Sequence, residues 1–204
     1  MDNKKLFIVF EGVEGSGKST QSMLLSSRLK SEGLLTRLVR EPGSTKTGEK
    51  IRSLILDHEE LQPLSELFLF SAARSELIHN EIIPTLETNS IVVCDRYIYS
   101  SLAYQGYAKG LNLEIIFQIN SIATSHIEPD IVFLLDIEPE SSFARKKSDS
   151  KDRFEKESMA FHNEVRKGYL SLSKSNRELW TVIDGEKAPE DISEIIWQKV
   201  QKFI

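Results

Sequence analysis

The stretch Leu6-Phe7-Ile8-Val9-Phe10-Glu11-Gly12-Val13-Glu14-Gly15-Ser16-Gly17-Lys18-Ser19 decides the fold. Its first five residues form a continuous apolar run, β-branched and aromatic, which predicts a strand buried on both faces, as in parallel sheets. Gly12 to Ser19 matches G-x-x-x-x-G-K-S/T between that strand and a predicted helix, the context that the motif requires. Glycines let successive backbone N–H groups converge on phosphate oxygens. The helix start adds unpaired donors and a partial positive charge. Lys18 can span the β- and γ-phosphates, and the Ser19 hydroxyl can ligate Mg²⁺. The alternative is a chance glycine turn, but ordinary residue frequencies produce such a match in about one chain in a hundred of this length. The motif therefore predicts nucleoside-triphosphate binding.

Outward from this loop, three more apolar runs read as strands: Ile91 to Cys94, Ile131 to Leu135 and Trp180 to Ile183, with Thr36 to Val39 a weaker fifth. Between them lie helical patterns at Ser19–Lys30, Leu64–Leu86 with a kink at Pro84, Asn112–Ser125, Lys156–Ser175 and Pro189–Ile204. Strands alternating with helices predict an α/β fold of three layers, a five-stranded parallel sheet flanked by helices, in one domain over residues 1–204. Arg145 to Arg153 carries five cations among serines and aspartates and nothing apolar. It reads as an exposed basic segment, either a mobile loop or a solvated surface turn.

Composition narrows the function. The chain has 204 residues, 40% hydrophobic, with a net charge of −5, which argues against a general nucleic-acid binder. Cys94 is the single cysteine, so no intramolecular disulfide exists, and four scattered histidines leave no zinc-ligand spacing. No apolar run approaches the roughly 20 residues of a membrane span. The first run is too short for a signal peptide, so a soluble, cytoplasmic protein is expected.

Three uses of the triphosphate remain: a small-molecule kinase, a GTPase-like switch, or an ATPase acting on a macromolecule. A switch needs a guanine-reading Asn-Lys-x-Asp after a late strand, and Asn3-Lys4 precedes the first one. Isolated arginines at Arg40, Arg52, Arg74, Arg96 and Arg153 suit bidentate recognition of a second phosphorylated substrate.

Four segments then carry a resemblance: Phe10 to Thr20, Arg40-Glu41-Pro42-Gly43-Ser44-Thr45, Asp95-Arg96-Tyr97-Ile98-Tyr99-Ser100-Ser101-Leu102-Ala103-Tyr104-Gln105-Gly106, and Asp152-Arg153-Phe154-Glu155. In order and spacing they resemble the signature blocks of bacterial thymidylate kinases, which are P-loop nucleoside monophosphate kinases, over nearly the whole chain. The resemblance implies transfer of a phosphoryl group from Mg-ATP to dTMP, giving dTDP for DNA precursors. It implies ATP binding by Gly12, Val13, Glu14, Gly15, Ser16, Gly17, Lys18, Ser19 and Thr20, with Mg²⁺ at Ser19 and Asp95. As a strand-end residue, Asp95 could equally cap the next helix.

For dTMP, the resemblance implies contacts from Glu14, Glu41, Arg52, Phe70, Arg74, Arg96, Ser101, Tyr104 and Gln105. Phe70 is expected to stack on the base, Arg74 to read its 4-carbonyl and Gln105 its edge. Tyr104 is expected under the sugar 2′ position and Glu14 near the 3′-hydroxyl, with Arg96 and Arg52 on the phosphate. With no arginine in the P-loop, the catalytic cation is expected from the lid, at about residues 145–155, as Arg153 beside Lys18 and Arg96. Lys146, Lys147 and Lys151 stand where arginines are commoner, and Ser44 where a second glycine is usual. The family also implies a homodimer. The competing readings are a monophosphate kinase of other base choice and a nucleotide-binding regulator without turnover.

Overall fold

A computed structural model describes residues 5–57, 60–88, 90–145 and 153–204. Residues 146–152, the middle of the expected lid with Lys146, Lys147 and Lys151, lie outside the described residues. Five strands form one parallel sheet in the order β2-β3-β1-β4-β5: β1 Leu6–Glu11, β2 Thr36–Arg40, β3 Ile91–Asp95, β4 Ile131–Asp136 and β5 Trp180–Asp184. The chain runs from β1 to one edge and returns through β3 to the other. The strand order thus reverses at β1, where open α/β sheets leave a crevice at their carboxyl ends.

Period-two alternation along β1 feeds two cores. Phe7 and Val9 join Val92, Cys94, Val132 and Leu134 on one face, while Leu6, Ile8 and Phe10 join Val93, Ile131 and Phe133 on the other. Leu25 and Leu29 of α1 (Lys18–Ser31) and Ile192, Ile196 and Trp197 of α9 (Pro189–Val200) close the second core. The first is closed by Ile55 of α2 (Lys46–Asp57), Leu67 of α3 (Pro63–Leu77), Ile116 of α6 (Leu113–Ala123) and Val165 of α8 (Met159–Ser175). Each such side chain contributes about 1.5–3 kcal/mol by leaving water. β2 is an edge strand with only Val39 buried, so its apolar signal is the weakest of the five.

Three helical details depart from the sequence expectation. The run expected to kink at Pro84 is α3, a π-helical turn at Ile78–Ile82, then α4 (Ile83–Glu87). Proline has no N–H to return and crowds the carbonyl four residues back; the wider turn ahead of it accommodates both. Second, the segment after β3 is one turn of α-helix, α5 (Ile98–Ser101), running into a π-helix at Leu102–Ala108. Third, α7 (Pro139–Arg145) was not anticipated. Cap chemistry sets two starts: Asn112 accepts from Glu114 N and Ile115 N, and Ser158 from Phe161 N.

The π-helix packs against α8 across Gly168, where an added Cβ would lie 2.8 Å from Tyr107 Cγ and 2.9 Å from its Cβ. Those atoms are the root of the ring, so rotation of the side chain's far end gives no relief. Gly168→Ala gains about 1 kcal/mol of helix propensity but forces an overpacking cost of about 1–3 kcal/mol. We expect a net loss, read as a fall of several degrees in thermal midpoint at ~2–4 °C per kcal/mol for a chain this size. A rise in midpoint would mean that the two elements separate freely.

Candidate active site

The P-loop needs glycine where backbones meet. Gly12 has φ 147°, and a Cβ there would sit 2.7 Å from the Leu135 carbonyl oxygen. Gly15, at φ 74°, would meet the Ser142 carbonyl oxygen at 2.9 Å. Lys18 opens α1 and is buried, its Nζ donating to the Val13 carbonyl at 2.8 Å. Burial, then the neighbouring Arg96 charge, push its amine down to about 8.

Ser19 Oγ donates to Asp95 Oδ2 at 2.5 Å, while Asp95 Oδ1 is buried without a hydrogen-bond partner. Tyr97, not Asp95, occupies the N-cap of α5, so the capping alternative does not apply. A hydroxyl beside a carboxylate with an open oxygen fits Mg²⁺, a hard ion that takes one or two carboxylates and completes its shell with water and phosphate. Among the described residues, no cluster of three or more His, Cys, Asp or Glu is placed to hold a metal.

Arg96 follows β3 in the left-handed region at φ 73°, its N–H bonded to the Phe10 carbonyl at 2.9 Å. That backbone turn carries the guanidinium over the P-loop. It donates to Glu14 Oε1 at 2.6 Å, to the Gly12 carbonyl, Ser100 Oγ and Tyr169 Oη at 3.1 Å, and to Tyr104 Oη at 3.3 Å. Burial is the largest single effect and opposes its charge, but Glu14, Tyr104, Tyr169 and Glu11 together outweigh it and hold the guanidinium above the usual arginine range.

A cavity of about 380 Å³ runs from Lys18, Ser19 and Thr20 past Arg96 to Phe70 and Gln105. Of the expected residues, Glu14, Gly15, Gly17, Glu41, Arg52, Asp95, Ser101 and Tyr104 also line it. Gly12, Val13 and Ser16 shape the loop behind its surface. Burial pushes the Glu41 carboxyl up to about 7 against the pull of Arg74. A second recess is lined by Gly15, Ser16, Gly17, Thr20 and Gln21, by Arg145, and by the turn from Gly185 to Pro189 after β5.

Two expected residues stand elsewhere. Arg74 is not at the cavity surface: it is 1% exposed, and all five of its N–H groups face protein acceptors. Nε donates to Glu41 at 2.7 Å; the two terminal nitrogens donate to Ser101 Oγ at 3.2 Å, Asn120 Oδ1 at 2.5 Å and the Tyr97 carbonyl at 3.3 Å. In this arrangement it lies behind the cavity wall, held by protein acceptors. Arg153 is paired with Glu66 and lies over the Phe154 ring, 4.6 Å from its centroid, at the Gln105 end of the cavity and not beside Lys18.

Four residues of consequence were missed by the sequence reading. Glu11, fully buried, accepts from Tyr97 N, Ser100 N, Ser100 Oγ and Tyr169 Oη. Its signal was an acid inside an apolar strand. Glu66 and Asn120 gave none, being polar residues on amphipathic helices. Phe154 lines the cavity, edge-on to Tyr104 at 5.7 Å.

The comparisons with known proteins agree with this geometry. A family model described as thymidylate kinase matches residues 10–196. The thymidylate kinase of Caldanaerobacter subterraneus subsp. tengcongensis is 41% identical over 199 residues, 97% of this chain and 96% of the relative. That of a Dehalococcoides mccartyi strain is 43% identical over 197 residues, 96% and 95% respectively. The crystal structure of thymidylate kinase from Ehrlichia chaffeensis superposes with a TM-score of 0.82 at 33% identity, covering 97% of this chain and 99% of that one.

Lys18 supplies a pH test. Above about 8 the unliganded site loses this charge, so triphosphate affinity should fall by up to about tenfold per pH unit between pH 8 and 9.5. Lys18→Met should bind weakly with a flat profile. Calorimetric titration with ATP checks both, and a flat profile in the unaltered chain would remove Lys18 from the phosphates.

Proposed function

Because the chain belongs to the thymidylate kinase family, transferases that phosphorylate dTMP, we propose that it moves the γ-phosphoryl group of Mg-ATP onto the dTMP phosphate, in the cytoplasm. The observation that carries this reading is one cavity joining the P-loop to an aromatic and amide-lined end, with Arg96 between them. ATP phosphates lie on the loop amides and Lys18, and the adenine lies against the recess between Arg145 and the 185–189 turn. dTMP takes the other end, its phosphate on Arg96 and Arg52, its sugar over Tyr104 and its base on Phe70.

The attacking dTMP oxygen already carries negative charge, so the residues contribute alignment and cations, and no general base is required. Ser19 and Asp95 would hold Mg²⁺, which would supply positive charge to the ATP phosphates. Arg96 exchanges Glu14 for the incoming phosphate, which leaves Glu14 facing the sugar 3′-hydroxyl. Gln105 and Ser101 read the base edge, and Arg74 holds Ser101 and Glu41 from behind. The P-loop has no arginine, so the cation on the migrating group comes from outside it. Arg153 takes that role by leaving Glu66.

A coupled ADP-release assay with dTMP, dUMP, dCMP and the ribose monophosphate tests the reading. dTMP should be preferred, with dUMP lower by about 10–200-fold for its missing methyl and dCMP rejected by about 10⁴. No stimulation by any monophosphate, with ATP still bound, would favour the regulator without turnover. Arg153→Ala separates two roles. A cation on the migrating group predicts a loss in kcat of about 10³ or more with KM for dTMP little changed; a brace at Glu66 predicts a shift in KM instead.

The homodimer belongs to the same proposal. Leu64 and Phe68 on α3 and Ile115 and Ile122 on α6 are exposed apolar side chains on helices that touch. Ile122, 76% exposed, gains most from a partner. Sedimentation should show twice the 23.2 kDa chain mass, and Ile122→Lys should release monomer; a monomeric unaltered chain overturns the pairing.

A further inference from the structure

Glu66 of α3 is fully buried, one turn before Phe70 on the same helix, and every acceptor position on its carboxylate is filled. Oε1 accepts from Gln105 Nε2 at 2.7 Å and from Lys109 Nζ at 3.0 Å. Oε2 accepts from Lys109 Nζ at 2.9 Å and from Arg153. Three donor groups thus make four hydrogen bonds to its two oxygens, and Gln105 and Lys109 still supply three of them when Arg153 leaves, so the carboxylate presents only acceptors to Gln105.

That has a consequence for Gln105, which lines the cavity. An amide is two-faced: one end donates and the other accepts, and nothing intrinsic decides which end meets a ligand. A carboxylate that can only accept must face the NH₂ end. The amide oxygen is then the end left for the cavity, and among the described residues no donor is directed at it. Resting on the function proposed above, we infer that Glu66 is the positioning residue for base choice: it locks the Gln105 amide with its oxygen toward the pyrimidine N3. Thymine carries N3–H, a donor that this oxygen accepts. Cytosine has a bare N3, an acceptor set against an acceptor. The discrimination therefore originates one residue behind the residue that touches the base.

The surrounding structure fits a fixed orientation. Gln105 sits on the π-helix and Lys109 just beyond it, so both donors reach the same carboxylate from one element. Arg74 independently holds Ser101, one turn earlier. The wall that reads the base is thus tied to α3 at two points.

Glu66→Gln tests this. The replacement keeps size but can donate as well as accept, so the Gln105 amide becomes free to turn over. The ratio of kcat/KM for dTMP to that for dCMP should fall by roughly 10- to 100-fold, with dCMP turnover rising in absolute terms. The double variant Glu66→Gln with Gln105→Glu places an acceptor-only group at 105 and should restore much of the dTMP preference. A purely structural role would depress both substrates together and leave their ratio within about twofold; that result in a folded variant overturns the inference. Should Glu66→Gln fail to fold, the unaltered chain labelled with ¹⁵N at glutamine decides. With glutamine also ¹³C-labelled and dTMP ¹⁵N-labelled, a coupling through the hydrogen bond should link thymine N3 to the Gln105 side-chain carbonyl carbon, and its absence from the bound complex overturns the inference. Failure of the unaltered chain to phosphorylate dTMP would count against the proposed function; an unchanged ratio in an enzyme that does prefer dTMP counts against Glu66 alone.

Discussion

The site depends on one buried carboxylate at the end of the central strand. Glu11 is the last residue of β1, and the P-loop begins at the next position. Left unpaired in this interior, it would cost several kcal/mol; instead it accepts four hydrogen bonds. Two come from backbone N–H groups at the start of α5, one from Ser100 and one from Tyr169 of α8. Burial still raises its pKa, with the Arg96 charge as the main opposing effect. The same group therefore places the turn that carries Arg96, the helix that follows it and the first glycine of the P-loop. The relative placement of the cavity's two ends is a property of β1 and β3, not of loops.

Around that anchor, cations are stored on carboxylates. Arg96 rests on Glu14, Arg74 on Glu41, and Arg153 with Lys109 on Glu66. The three pairs serve different ends. Arg96 and Glu14 are partly accessible from the cavity, so a phosphate can compete for the guanidinium. Arg74 and Glu41 are 1% and 4% exposed, and breaking that pair by removing one partner would strand a charge at a cost of about 3–5 kcal/mol. A buried pair of this kind fixes geometry, while the open pair is available for chemistry.

Much of this was legible in the sequence. The three central strands announced themselves because parallel strands covered on both faces are apolar throughout, and the edge strand β5 through Trp180 and Ile183. The P-loop was legible because its chemistry requires fixed spacing. The expected cavity residues mostly came together, since the motif blocks sit at strand ends that the topology aligns. What could not be read depends on distance through space. Arg74 was expected on the base from the family resemblance, with Phe70 on the same helix face; only the fold shows Asn120 and Glu41 behind it. Arg153 was expected over the phosphates from the same resemblance and the lack of a P-loop arginine, with no means of knowing that Glu66 lies within its reach. The π-helix at Leu102–Ala108 left no trace, for its residues are as compatible with an ordinary helix.

The close approach at Gly15 has a mechanical side. The Ser142 carbonyl presses on Gly15, its hydroxyl donates to the Glu14 carbonyl, and three residues on Arg145 donates to the Gly185 carbonyl at 2.7 Å. α7 is thereby a short lever with its fulcrum on the P-loop and its far end on the turn after β5. A displacement of the loop backbone at Gly15 would therefore meet α7 directly, at the carbonyl and the hydroxyl of Ser142, and lean through Arg145 on the turn after β5.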